Sequence, residues 1–121
     1  YLEEEIISVC DPNQIKQVLI NLIQNALEAT IDSNKSIDIC LYSDQPDTFT
    51  IAVKDKGYGI SKERQGRLFE PFYTTKEKGT GLGLLISRRI IEVHKGTINF
   101  KSDLAKGTVM KVKLPVNKSF F

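Results

Sequence analysis

Apolar residues recur along the chain with two different periods, and the switches between them mark the elements. From residue 11 onward, Ile15, Val18, Leu19, Leu22, Ile23 and Ala26 follow at spacings of one, three or four. At ~100° per residue they form one arc of a helix wheel. Asp11-Pro12-Asn13-Gln14 stands where that helix must begin. Asp11 suits the N-cap, Pro12 the first helical position, and Gln14 the return partner of a capping box. The helix is expected to end near Ile31. Residues 6–10, 37–42 and 49–54 run apolar or alternate, as strands do, and residues 43–47 carry turn chemistry between the last two. One helical turn is predicted over 61–66, capped by Ser61, and a second long helix over 82–94. Residues 68–81 hold no period, and two more strands are predicted over 96–102 and 107–114. This order predicts a two-layer α/β sandwich: a mixed, mostly antiparallel sheet packed against about three helices.

Composition narrows the class. The 121 residues suffice for one domain, taken as 1–121, and 40% of them are hydrophobic. Seventeen basic residues against fifteen acidic ones leave a net charge of +2, which is no footprint for nucleic acid or a membrane surface. No apolar run reaches the ~18 residues of a membrane span. Cys10 and Cys40 sit in strand-like runs and are expected to be buried thiols in a reducing, cytoplasmic compartment, with a disulfide between them as the alternative. The sequence opens at Tyr1 rather than Met, so it is read as a piece of a longer protein, monomeric on its own.

Beside the apolar arc of the first helix runs a polar stripe of Gln14, Gln17, Asn21, Asn25 and Glu28. Asn25 falls about 20° from Val18 on the wheel, at the border of core and solvent. Asn is a mediocre helix former, so two of them one turn apart on one edge ask for a reason. Their side-chain carbonyls suit a hydrated Mg²⁺ and its phosphates; a solvated flank is the plainer alternative. Two glycine loops follow. Asp55-Lys56-Gly57-Tyr58-Gly59-Ile60 comes directly after a strand. Asp55 is an acceptor suited to the amino group of adenine, with Gly57 and Gly59 leaving room for a flat base; a plain Asp-Gly turn is the alternative. Gly79-Thr80-Gly81-Leu82-Gly83-Leu84 opens the second long helix, where unpaired N–H groups and the helix dipole favour an anion. It fits neither the P-loop nor the dinucleotide fingerprint. His94 reads as a helix C-cap favoured by the dipole and not as a phosphoacceptor.

Taken in order, these stretches resemble one family across nearly the whole chain. Asn21-Leu22-Ile23-Gln24-Asn25-Ala26-Leu27-Glu28-Ala29 resembles the N box of the GHKL ATPases in its histidine-kinase form. Asp55-Lys56-Gly57-Tyr58-Gly59 resembles the G1 box, Leu68 through Lys76 the F box and ATP lid, Gly79 through Leu84 the G2 box, and Gly107-Thr108 the last glycine motif. The chain is similar to catalytic domains of bacterial sensor histidine kinases of the sporulation and nitrogen-regulation branch, which implies the Bergerat fold. The resemblance implies ATP and Mg²⁺ as cofactors. Asn25 would hold the metal, Asn21 would support metal and phosphates, and Glu28 would orient Asn25 or assist the phosphoacceptor. Asp55 and Thr108 would bind adenine, with Gly57, Gly59 and Ile60 around the base. Gly79, Thr80, Gly81, Leu82, Gly83 and Leu84 would line the phosphates, with Phe72, Thr74 and Thr75 in the lid. Phe69 would join Phe72 in gripping the core. Lys76, with Lys78 as the alternative, would face the γ-phosphate where another branch has arginine. The hydrolysing cousins carry a glutamate base at the place of Asn21, and an amide cannot take a proton. The implied partner is a dimerisation domain bearing the acceptor histidine, with a response regulator beyond it; a non-catalytic ATP-dependent switch of the same fold is the alternative.

Overall fold

The computed structural model describes residues 11–30, 36–71 and 82–115. Its elements are α1 (Pro12–Ala29), β1 (Asp38–Gln45), β2 (Thr48–Asp55), α2 (Lys62–Gln65), α3 (Gly83–Val93), β3 (Thr97–Asp103) and β4 (Gly107–Pro115). The strands form one sheet in the order β1-β2-β4-β3, and every pairing is antiparallel. The sheet expected to be mixed is thus antiparallel among the described residues; the strand candidate at 6–10 lies outside them. The β1–β2 turn is tighter than predicted, because the strands extend to Gln45 and Thr48 and Ser43 Oγ bridges the Gln45 and Thr48 carbonyls at 2.7 Å.

Register builds the core in cross-strand rows. Ile51, Val112 and Ile98 stand opposite one another across β2, β4 and β3, and Val53, Met110 and Phe100 form the next row. Above these rows α1 lays Val18, Leu22 and Ala26, all buried, and α3 lays Ile91. On the other face of β2, Thr50 and Ala52 are small and still buried; Tyr42 and Lys113 flank Thr50, and Cys40 and Lys111 flank Ala52. Cys40 itself is exposed, against expectation, because it lies on the outward face of an edge strand.

The two long helices run antiparallel, clipped at both ends of their contact. Asn21 Nδ2 donates to Ser87 Oγ at 3.2 Å and to the Gly83 carbonyl at 3.4 Å. At the far end the Asp11 N–H donates to His94 Nε2 at 2.9 Å, while His94 Nδ1 meets the Ile90 carbonyl at 2.7 Å. Asp11 is the N-cap as expected, accepting from the Asn13 and Gln14 N–H groups. The group that satisfies its own N–H is His94 and not Gln14. His94 is therefore a helix clip: its geometry uses the tautomer protonated on Nδ1, and both ring nitrogens are engaged. Its position as C-cap agrees with the sequence reading.

α3 closes with a Schellman motif: the Lys95 N–H bonds the Glu92 carbonyl and the Gly96 N–H bonds the Ile91 carbonyl, both at 2.9 Å. The left-handed residue of that motif is Lys95, at φ 64°, a conformation that strains a side-chain-bearing residue. Lys95→Gly is expected to raise stability by roughly 1 kcal/mol, read as a higher urea midpoint at unchanged slope; a lower midpoint would contradict the assignment of strain.

Candidate functional site

At one end of the sheet the inward-facing rows turn polar. Asp55 stands opposite Thr108, and Thr108 opposite Ser102, on the face that further along carries Val53, Met110 and Phe100. Asp55 and Thr108 are 5% and 7% exposed, so this is a polar row set into the core and not a surface flank. Such groups must find partners. Asp55 Oδ1 accepts the Gly57 N–H at 2.9 Å, and Thr108 Oγ1 lies 2.7 Å from Ser102 Oγ.

Two helix ends lie beside this row. α3 points its N-terminus to this end, since its C-terminal residues pack over the opposite one. Leu82 is its N-cap, with no side-chain hydrogen bond to the first turn. That turn offers N–H groups and the positive end of the dipole. Asn21 meets the start of α3, so α1 continues for the eight residues to Ala29, ~12 Å of helix, beyond the end of its partner. Asn25 and Glu28 lie on this overhang, Asn25 half-buried and Glu28 exposed. The polar row, the N-terminus of α3 and the amide-bearing edge of α1 thus meet at one end of the sheet, and the space they border is the candidate cleft.

The loop 56–60 is drawn tightly to its surroundings. The Tyr58 N–H bonds the Ala29 carbonyl at the end of α1, and the Ala105 N–H bonds the Tyr58 carbonyl. A Cβ at Gly57 would strike the Ala29 carbonyl, and one at Gly59, where φ is +72°, would strike that of Asp103. These two glycines admit neighbouring backbone; the expectation that they leave open space for a base is corrected by that packing. Ile60 contributes its N–H to Ser102 Oγ at 2.7 Å. Gln65 Nε2, from α2, bonds the carbonyls of Ile60 at 2.8 Å and Ser102 at 3.1 Å. Ser61 caps α2 as predicted, accepting the Arg64 N–H at 3.3 Å.

Asn21, Asn25, Glu28, Asp55, Gly57, Gly59, Ile60, Leu82, Gly83, Leu84 and Thr108 thus belong to elements that meet at this end of the sheet. Asn21 also has a task the sequence did not reveal, since its amide nitrogen holds α3 in place. Phe69 packs on the core with its ring 6.3 Å from that of Phe100 and the Arg88 guanidinium 4.6 Å above it. Phe72, Thr74, Thr75, Lys76, Lys78, Gly79, Thr80 and Gly81 lie outside the described residues, as does Cys10. Sequence reasoning missed Ser87, Ser102 and Gln65. Ser87 left a signal: a hydroxyl four residues before Ile91 on the apolar stripe needs a buried partner.

Fold and cleft together describe a two-layer α/β nucleotide-binding domain. Residues 10–118 match the family described as Histidine kinase-, DNA gyrase B-, and HSP90-like ATPase, and the chain belongs to it. Over 91% of its length it is 46% identical to Sporulation kinase E of Bacillus subtilis (strain 168), and over 95% it is 45% identical to Sporulation kinase A of the same organism. It spans only 15% and 19% of those two proteins. Among solved structures, the catalytic domain of histidine kinase ThkA is 42% identical and superposes with a TM-score of 0.76, over 88% of this chain and 69% of that one. Mycobacterial sensor histidine kinase MprB shares the fold at 22% identity, with a TM-score of 0.83 over 93% and 78% of the two chains. Within the family the chain is thus of the histidine-kinase catalytic, ATP-binding type. No helix among the described residues is long and apolar enough to cross a membrane.

Gly59→Ala is expected to lower stability by at least about 1–3 kcal/mol through left-handed strain and the contact with Asp103. Urea denaturation reads this directly, and an unchanged midpoint would mean that the loop is not held as described.

Proposed function

We propose that this domain binds Mg-ATP in the cleft and presents the γ-phosphate to a histidine on a separate dimerisation domain of its parent kinase, for onward transfer to a response-regulator aspartate. The observation that carries the reading is the buried Asp55–Thr108 row at the end of the sheet to which the N-terminus of α3 points. Asp55 accepts from the exocyclic amino group of adenine, and Thr108 backs it. The first turn of α3, from Leu82 to Leu84, takes the phosphates, with Gly79, Thr80 and Gly81 assigned there by the resemblance.

The donor set fits Mg²⁺. Amide oxygens on one helix edge, with no group of three or more His, Cys, Asp or Glu side chains that could hold a metal ion among the described residues, suit an ion that keeps its waters and is held largely through phosphate. Asn25 is assigned as its protein ligand. When bound, the ion supplies neutralisation of phosphate charge. Asn21 positions the phosphate-binding end of α3 and offers no base for activating water, which favours retention of ATP for transfer. Glu28 orients Asn25 or assists the acceptor, and Lys76, or Lys78, offsets charge on the transferred phosphoryl group, with Thr74, Thr75 and Phe72 as lid residues. His94 receives no phosphate, because both its nitrogens serve the α1–α3 clip. The setting proposed is cytoplasmic, with the domain itself monomeric.

Calorimetric titration with a non-hydrolysable ATP analogue tests this reading. Wild type is expected to bind with Mg²⁺ dependence. Asp55→Asn is expected to lose at least about tenfold in affinity, in keeping with a hydrogen bond to a charged group. Asn25→Ala is expected to abolish the difference made by Mg²⁺. A folded wild-type chain that binds no nucleotide would overturn the proposal.

A further inference from the structure

Ser102 stands at the end of the polar row, in β3, and its hydroxyl joins three elements. It accepts the Ile60 N–H at 2.7 Å, lies 2.7 Å from Thr108 Oγ1, and reaches the Gly107 carbonyl at 3.1 Å. A serine hydroxyl has one proton and two lone pairs. Ile60 occupies one lone pair, which leaves two arrangements. In the first, Ser102 gives its proton to Gly107 and receives that of Thr108, so Thr108 offers only lone pairs to the cleft. In the second, Ser102 gives its proton to Thr108, and the Thr108 proton is free to point into the cleft. Hydroxyl–hydroxyl bonds centre on about 2.7–2.8 Å, which the Ser102–Thr108 contact matches and the Gly107 contact exceeds. The second arrangement is therefore within reach whenever a ligand calls for it.

We propose that Ser102 is a positioning residue for base recognition: by donating to Thr108 it turns the Thr108 hydroxyl into a donor beside the Asp55 acceptor. This rests on the reading that the purine binds at the Asp55–Thr108 row. An acceptor next to a donor complements the amino group and adjacent ring nitrogen of adenine, directly or through one water. It opposes the carbonyl and ring N–H of a 6-oxopurine. Ser102 also anchors the loop that follows Asp55, through the Ile60 N–H, and Gln65 locks both residues from α2. Carboxylate and hydroxyl are in this way held on one frame. A buried site that pairs its polar groups with the right ligand rejects the wrong one by leaving those groups unpaired.

The experiment is calorimetric titration of the full chain with non-hydrolysable analogues of ATP and of its hypoxanthine counterpart, for wild type, Ser102→Ala, Thr108→Val and the double variant, with thermal melting in parallel. Ser102→Ala is expected to bind the adenine analogue about tenfold more weakly and the hypoxanthine analogue nearly as wild type, so that selectivity falls. In the Thr108→Val background the same change is expected to leave selectivity where it stands. Ser102→Thr, which keeps the hydroxyl, is expected to retain it. If Ser102→Ala weakens both analogues equally, or lowers only the melting temperature, the residue is structural and the proposal fails. If Asp55→Asn weakens the adenine analogue while Ser102→Ala does not, this inference alone falls and the nucleotide site stands. If wild type binds neither analogue, both fall.

Discussion

The register of β4 between β2 and β3 is the constraint on which the rest depends. Thr108, Met110, Val112 and Leu114 face the helices, while Val109, Lys111 and Lys113 face away and are half-buried. A slip of one residue would bury the lysines and turn Thr108 outward, so hydrophobic burial enforces one register. Because Asp55 and Ser102 are paired with Thr108, the force that packs Met110 and Val112 also assembles the polar row. The site is the continuation of the core by other residue types and needs no positioning of its own along the strands.

The helix layer adds the opening. α1 and α3 pack antiparallel and out of step, so that one outruns the other over the polar end of the sheet. Packing of Leu22 and Ile91 brings the helices together, but apolar contact is non-directional and tolerates sliding. The Asn21–Ser87 and Asp11–His94 hydrogen bonds are directional and set the offset. Asn21 therefore links the stability of the helix pair to the place where phosphates are proposed to lie. This coupling is economical in a small domain, and it means that changes at Asn21 act on structure and binding together.

Much of this was legible along the chain. The first long helix was read from its period and its cap, and β1 and β2 from runs that are apolar or alternate; the family resemblance rested on contiguous boxes whose chemistry is local. The glycines after Asp55 were visible as a loop signal, but their reason was not, since the carbonyls they make room for belong to Ala29 and Asp103. Cys40 was misjudged because an apolar run does not say whether its strand lies at an edge.

What the sequence determined by itself is the set of elements, their order and the residue types at the cleft, because these follow from backbone preferences and burial patterns over a few residues. What only the tertiary structure decided is the task of individual polar atoms. His94 meets Asp11 across 83 residues, Asn21 meets Ser87 across 66, and Ile60 meets Ser102 across 42. A hydrogen bond demands distance and direction together, and across such separations both are set by how helices and strands pack.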